Sequence, residues 1–477
     1  MNKRKILSLA AMAVLVFASS CNKLEDFGDT NVNPNGVSKP ILSALFTNVS
    51  VGIPGFATQT RGGYYAQFFS ETQYSDASLY AIPQLSFTGL YSGSLYDLQN
   101  IININESNNL TQAARILKSY IFWTITDSWG DVPYSQALQG GAVPNPVYDK
   151  QEDIYKGLLA ELTSAVSSFD NTSFLGGDVS SYNGNIAKWK KLGNSLRILI
   201  ALRTSKKYPS ASGEAATAIK AALADPGGVI STNADNYSFS FPGGNLSSPW
   251  YGLYNGRKDV GESATMTALM GTLSDARQTV YGTDESGAPS TTGVPYGWSR
   301  NRVDPWTQAN PKWTYVLKPS LRTQTGSVVV IPAAVVTLAR AEAADRGWTT
   351  ENAKVLYETG IKLSFEQWGV APPSDAYFTQ SAVAFSAPVG TGANLKQIAT
   401  QRYVATYPDG LQAWAEWRRT GFPVLTPAPD ALNASKQIPR RYTYATSEYL
   451  TNKASVEAAA ALLPGGDVQD AKVWWDQ

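Results

Sequence analysis

The chain has 477 residues, with 39 Lys and Arg against 38 Asp and Glu, one cysteine and no histidine. Without histidine there is no Ser-His-Asp or Cys-His nucleophile, and the commonest transition-metal ligand is missing. A near-neutral balance leaves no basic footprint for nucleic acid, and a single cysteine cannot close an internal disulfide.

Lys3, Arg4 and Lys5 precede an apolar run from Ile6 to Phe17 and then Ala18, Ser19 and Ser20. That order of charge, short apolar run and small residues predicts a secretory signal peptide over 1–20. The run is too short to span a bilayer as a helix, and no later stretch approaches the roughly 20 apolar residues that spanning needs. Cys21 stands where the small residues end and is expected to carry a lipid. From 21 to 40 the chain is polar and rich in Asn, Gly and Pro, as a tether should be. Its Asp29-x-Asn31-x-Asn33 spacing is that of a calcium loop, but Pro34 replaces the required glycine and Pro40 the bidentate glutamate, so no metal site is expected.

Helical periodicity dominates the rest. Apolar stripes predict helices over Thr111–Ser128, with Thr111 as N-cap, then Glu152–Ser168, Ile186–Ser205, Gly213–Ala224, a segment beginning at Pro332, and Asn352–Trp368. Val328 to Ile331 is the clearest strand. The expectation is a mainly α fold, read as one domain over 41–477, with little β structure and loop-rich insertions at about 225–262 and 275–330. Loops as long as Asn233–Gly261 and Gly282–Leu317 are seldom idle in a compact domain.

Gly130 is expected to end a helix at positive φ, with Pro133 preventing its continuation and Asp131 capping the next turn. Glu416, Arg418 and Arg419 beside Trp414 and Trp417, and Glu342 with Arg340 and Arg346, read as intramolecular ion pairs. Chance pairs among the 38 acidic residues are plentiful, and none stands in the acid and nucleophile context of a glycosidase. No catalytic residue and no cofactor is therefore assigned. Sugar recognition needs flat aromatic faces beside planar polar side chains. Three segments supply both: Gln73 to Asp76 with Tyr80, Trp250 to Asp259, and Tyr296 to Arg302 with Trp306 beyond. The candidate ligand contacts are Tyr74, Tyr80, Trp250, Tyr254, Arg257, Trp298, Arg300 and Trp306.

Six segments in order together resemble one family. They are Phe27-Gly28-Asp29-Thr30-Asn31-Val32-Asn33-Pro34-Asn35; Asp127 to Leu138 with its Gly130-Asp131-Val132-Pro133-Tyr134; Trp189 with Asn194 to Arg197 and Ala201 to Arg203; Ala341 to Trp348; Ala413 to Gly421 with Pro439-Arg440-Arg441; and Val473 to Asp476. The pattern is similar to that of the SusD/RagB nutrient-binding lipoproteins, in their SusD-like branch. Lys23-Leu24-Glu25-Asp26 also resembles the charged signal that sends lipoproteins of the Bacteroidota to the outer cell surface. The resemblance implies a tetratricopeptide-like scaffold of helix pairs forming an α-α superhelix. It implies a lipid anchor in the outer membrane facing outward, and a SusC-like TonB-dependent transporter as partner. The implied role is capture of a glycan or oligosaccharide without chemistry, with peptide cargo and a surface glycosidase as the alternatives. Ligand contacts in that family come from loops that vary, so no individual contact carries over.

Overall fold

The computed structural model describes residues 39–477; the expected signal peptide, Cys21, the calcium-loop-like spacing and the segment 27–35 lie outside the described residues. Helices form where the apolar stripes lie. In chain order the elements used below are α1 (Leu42–Gly52), α2 (Pro54–Thr58), α3 (Thr60–Tyr65), β1 (Phe69–Glu71), α4 (Tyr96–Ile104), α5 (Asn108–Trp129), α6 (Gln151–Ser168), α7 (Ile186–Arg203), α8 (Glu214–Ala224), β2 (Tyr237–Phe239), β3 (Val260–Glu262), α9 (Arg300–Ala309), β4 (Tyr315–Val316), β5 (Val328–Ile331), α10 (Ala333–Asp345), α11 (Ala353–Gln367), α12 (Leu395–Thr406) and α13 (Gly410–Thr420). α5 packs on α4 and α6, α7 takes α6 on one side and α8 on another, and α10 packs on α11, α12 and α7. This is a mainly α scaffold of helix pairs with little strand.

Nearly every position of α5 is buried, Trp123 and Trp129 included, together with polar residues such as Asn109, Gln112 and Asp127. It starts before the expected cap: Thr111 lies inside the helix. Asn108 and Asn109 extend it because their side chains find distant partners, Asn108 Nδ2 donating to Ser168 O (2.8 Å) and Asn109 Nδ2 to Thr172 O (2.6 Å). Gly130 ends α5 at φ 92°, as expected. Asp131 does cap a helix, accepting from the Gln151 amide at 2.8 Å where α6 begins. Asn185 and Asn352 cap α7 and α11 in the ordinary way, accepting from Lys188 and Val355 amides.

The strands are short pairs that tie insertions to the scaffold. β1 pairs antiparallel with β3, Phe69 opposite Glu262 and Glu71 opposite Val260. β2 pairs antiparallel with β5, with a register shift beside Tyr237. β4 pairs with Gly282–Thr283.

The charged clusters are interior. Arg419 joins Glu342 to Glu416, and Arg203 and Arg402 also reach Glu416. Arg346 pairs with Glu342 one turn away, but Arg340 pairs with Glu351. Residues two apart on a helix point to different sides, so Arg340 and Glu342 do not meet.

Candidate functional site

The antiparallel pairing of β1 with β3 continues into the connections beyond it. The Thr72 amide donates to Asp259 O (2.9 Å), so the 72–76 connection runs beside 256–259. Ser70 Oγ donates to Pro295 O (2.8 Å), the Val294 amide to Glu262 O (2.9 Å) and the Glu262 amide to Thr314 O (2.8 Å). Three segments remote in sequence are thereby fixed around one strand.

Their aromatic side chains form a cluster. Val294, Val303, Trp313 and Tyr315 are its buried centre, and Tyr254, Trp298 and Trp306 pack on it half-buried. Trp313 and Tyr315 stack at 4.0 Å and 10°. The Tyr254 hydroxyl is used twice, donating to Val260 O and accepting from the Val316 amide, both at 2.8 Å, which fixes that ring as a wall. Arg302 lies 4.2 Å from the Trp298 ring centroid and pairs with Asp430 at 2.6 Å. Asp430 also accepts from the Ser299 amide and hydroxyl, anchoring the start of α9. That anchor accounts for a helix in a segment read as loop, even with Pro305 inside it.

Tyr74 projects beside this cluster and is 54% exposed. Its ring centroid lies 5.1 Å from the Arg257 guanidinium carbon and 5.5 Å from that of Arg300, both within cation–π reach. Arg257 is in turn paired with Asp259. Gln73, Tyr74, Tyr254, Gly256, Arg257, Lys258 and Asp259 line an open cleft of about 710 Å³.

Six of the eight candidates thus fall in one region: Tyr74, Tyr254, Arg257, Trp298, Arg300 and Trp306. Tyr80 and Trp250 do not present a face to solvent, at 1% and 3% exposed. The Tyr80 hydroxyl is 3.0 Å from that of Tyr296 and accepts from the Ala428 amide, so a polar-looking connection has turned its tyrosine inward. Trp250 packs edge-on against Phe69 and faces an internal pocket. Sequence reading passed over Trp313 and Tyr315, two residues apart where the chain enters β4. It also missed Arg322, which lies 4.5 Å from the Tyr254 ring centroid.

The perturbed carboxylates nearby are structural. Burial pushes Glu71 up to about 7 although Ser78 donates to it from amide and hydroxyl, and pushes Glu262 up to about 8 with Gln278 as its hydrogen-bond donor. Among the described residues no group of three or more Asp, Glu, His or Cys is placed to hold a metal ion, and no helix is long and apolar enough to cross a membrane.

The raised Glu262 value carries a stability prediction. A carboxyl shifted from about 4.5 to about 8 favours the protonated fold, so its contribution is complete below pH 4.5 and is lost as pH rises through 8. Wild type is expected to lose about 2–3 kcal/mol from this group between pH 6 and 9, and Glu262→Gln to lose none of it. Melting temperatures across that range give the comparison, and parallel curves would refute the assignment.

Helix pairs carrying an aromatic and basic cleft on the connections between them form a mainly α scaffold with one open aromatic surface. The chain belongs to the SusD-like family described as starch-binding and associating with the outer membrane, which it matches over residues 34–445. Among solved structures it is similar to a chitin-binding SusD homologue of Flavobacterium johnsoniae (24% identity, TM-score 0.79, covering 91% of this chain and 98% of that one). It is likewise similar to a SusD homologue of Bacteroides uniformis (25%, 0.80, 91% and 99%) and to a chitin-binding protein (27%, 0.74, 91% and 99%). No curated protein matches the chain.

Proposed function

We propose that this chain captures a glycan or oligosaccharide at the outer surface, without chemistry on it, and hands it to a SusC-like TonB-dependent transporter, held to the outer membrane by a lipid on Cys21. The carrying observation is Tyr74, half exposed with the Arg257 and Arg300 guanidiniums over its ring, lining a 710 Å³ cleft with Tyr254, which shares an aromatic cluster with Trp298 and Trp306. A flat ring takes the C–H face of a sugar, and planar guanidinium donors serve adjacent hydroxyls in pairs. The similarity to a chitin-binding protein at 27% identity makes N-acetylglucosamine oligomers the first ligands to try. Binding without catalysis is supported by where the perturbed carboxyls lie: Glu71, Glu262 and Asp409 are 9%, 0% and 7% exposed, whereas a glycosidase acid must reach the bond it protonates.

Calorimetric titration with chitin oligomers, maltooligosaccharides and oligopeptides tests the reading. Saturable binding of one glycan class is expected, reduced at least about tenfold, or about 1.4 kcal/mol, in Tyr74→Ala combined with Trp298→Ala. Peptide binding with no glycan binding would replace sugar by peptide as cargo, and unchanged affinity in the double variant would remove the cleft from the site.

A further inference from the structure

A second pocket, separate from the surface cleft, runs into the helical core. It has a volume of about 130 Å³ and is bounded by β5, by Val335 of α10, by α12 and α13, and by Trp123, Trp250 and Trp368. Of its lining, Ser327 is exposed and Val329, Gln367, Trp368 and Gln412 are half-buried. Most of the lining is apolar, and the inner end is not.

What the inner end offers is donors. Arg402, 2% exposed, has no hydrogen-bond partner for its Nε, and the indole nitrogens of Trp123 and Trp368 have none either. Gln412 has its Oε1 taken by Arg203 at 2.8 Å, so its amide nitrogen is the group left over. Glu416 lies among cations: Arg419 donates to its Oε2 at 2.7 Å, and Arg402 Nη1 and Arg203 Nη1 stand 3.0 and 2.7 Å from Oε2 and Oε1 as ion pairs. Burial raises the Asp409 carboxyl to about 7, although its Oδ1 accepts from the Leu411 and Gln412 amides where α13 begins. Arg402 sits in a buried network in which Arg203, Arg418 and Arg419 face Asp127, Glu342, Glu416 and Asp476.

We propose that this pocket is a second binding site that takes a small organic carboxylate, its acid group on Arg402 and an apolar body of about benzene size among Trp123, Trp250 and Trp368. A dry cavity of roughly 150 Å³ is known to hold a benzene ring, so the 130 Å³ here limits the body to one small ring with its acid group reaching past the apolar lining. Arg402, Ala405 and Thr406 stand three and four residues apart on α12, so one helix face supplies both the cation and a small residue that leaves the room.

Three tryptophans in the lining provide the readout. Titrating benzoate into the purified protein is expected to give a saturable change in tryptophan fluorescence with one site per chain by calorimetry, and toluene is expected to bind at least tenfold more weakly. Ala405→Leu, which fills the pocket, is expected to abolish the benzoate response while circular dichroism and glycan binding stay as in wild type. Arg402→Met is expected to reverse the preference toward toluene. Should Arg402→Met fail to fold, Ala405→Leu decides alone. Absence of saturable benzoate binding in wild type, benzoate binding that survives Ala405→Leu, or equal affinity for benzoate and toluene would each overturn the proposal.

Discussion

Glu342→Gln is expected to lower the unfolding free energy by about 3–5 kcal/mol, the range for removing one partner from a buried ion cluster. Arg419 grips the carboxylate with both terminal nitrogens, at 2.6 and 2.5 Å. Arg346 Nε donates to it at 2.9 Å, and Arg402 Nη1 lies 3.8 Å away. Burial alone would raise the Glu342 carboxyl, yet the Arg419, Arg346 and Arg402 guanidiniums hold it at about 2. Glutamine keeps the shape and removes the charge, leaving Glu416 alone among Arg203, Arg402 and Arg419. These residues come from α7, α10, α12 and α13, so the loss loosens four helices at once. Denaturant unfolding of both proteins at pH 7 gives the difference, and a value under 1 kcal/mol would refute the account. A lowered carboxyl stabilises above its unfolded value and loses that contribution as pH falls through the folded one. The gap between variant and wild type is therefore expected to close as pH drops from about 4.5 toward 2.

The long helices were legible because their stripes are local. α6, α7, α8, α10 and α11 begin and end within two residues of their expected bounds where these were given, and Val328 to Ile331 is a strand as read. α2 and α3, of five and six residues, carry no periodic signal of their own and are held by what they pack on. The same limit applies to the cleft. Tyr74, Arg257 and Arg300 could be marked as aromatic and planar polar groups in exposed loops, but their meeting depends on β1 pairing with β3 across some 190 residues. Tyr80 and Trp250 have the same local composition and turn inward, because composition does not say on which side of a connection the core lies. Arg203 shows the converse. It follows an apolar stripe, as a solvated helix end would, and is instead wholly buried, its guanidinium 5.4 and 5.5 Å from the Trp123 and Trp475 rings.

Gly410→Ala is expected to destabilise the fold by about 3 kcal/mol or more, the upper end for overpacking, because nothing at that crossing can move aside. α13 begins against α3 with backbone on backbone: a Cβ on Gly410 would overlap the Gly63 backbone, and one on Gly62 would lie 2.6 Å from Leu411 Cα. Gly157→Ala meets only the Tyr134 ring, at 2.8 Å, and a side chain can turn, so a smaller loss is expected there. Gly271→Ala meets nothing within 4 Å inside a helix and is expected to gain about 0.5–1 kcal/mol, which separates crowding from any general effect of adding a methyl group. The crossing also reaches the Tyr74 cleft. α3 runs within four residues into β1, whose pairing with β3 sets the 72–76 connection and with it Tyr74 against Arg257. A Gly410→Ala protein that still folds must shift α3 away from α13, and Tyr74 moves with it. Its glycan affinity is then expected to fall although no group in the cleft has been changed, whereas Gly157→Ala leaves affinity at the wild-type value. Equal stability losses at Gly410 and Gly157, measured by denaturant unfolding, would refute the backbone-contact argument, and equal affinities would sever the crossing from the site.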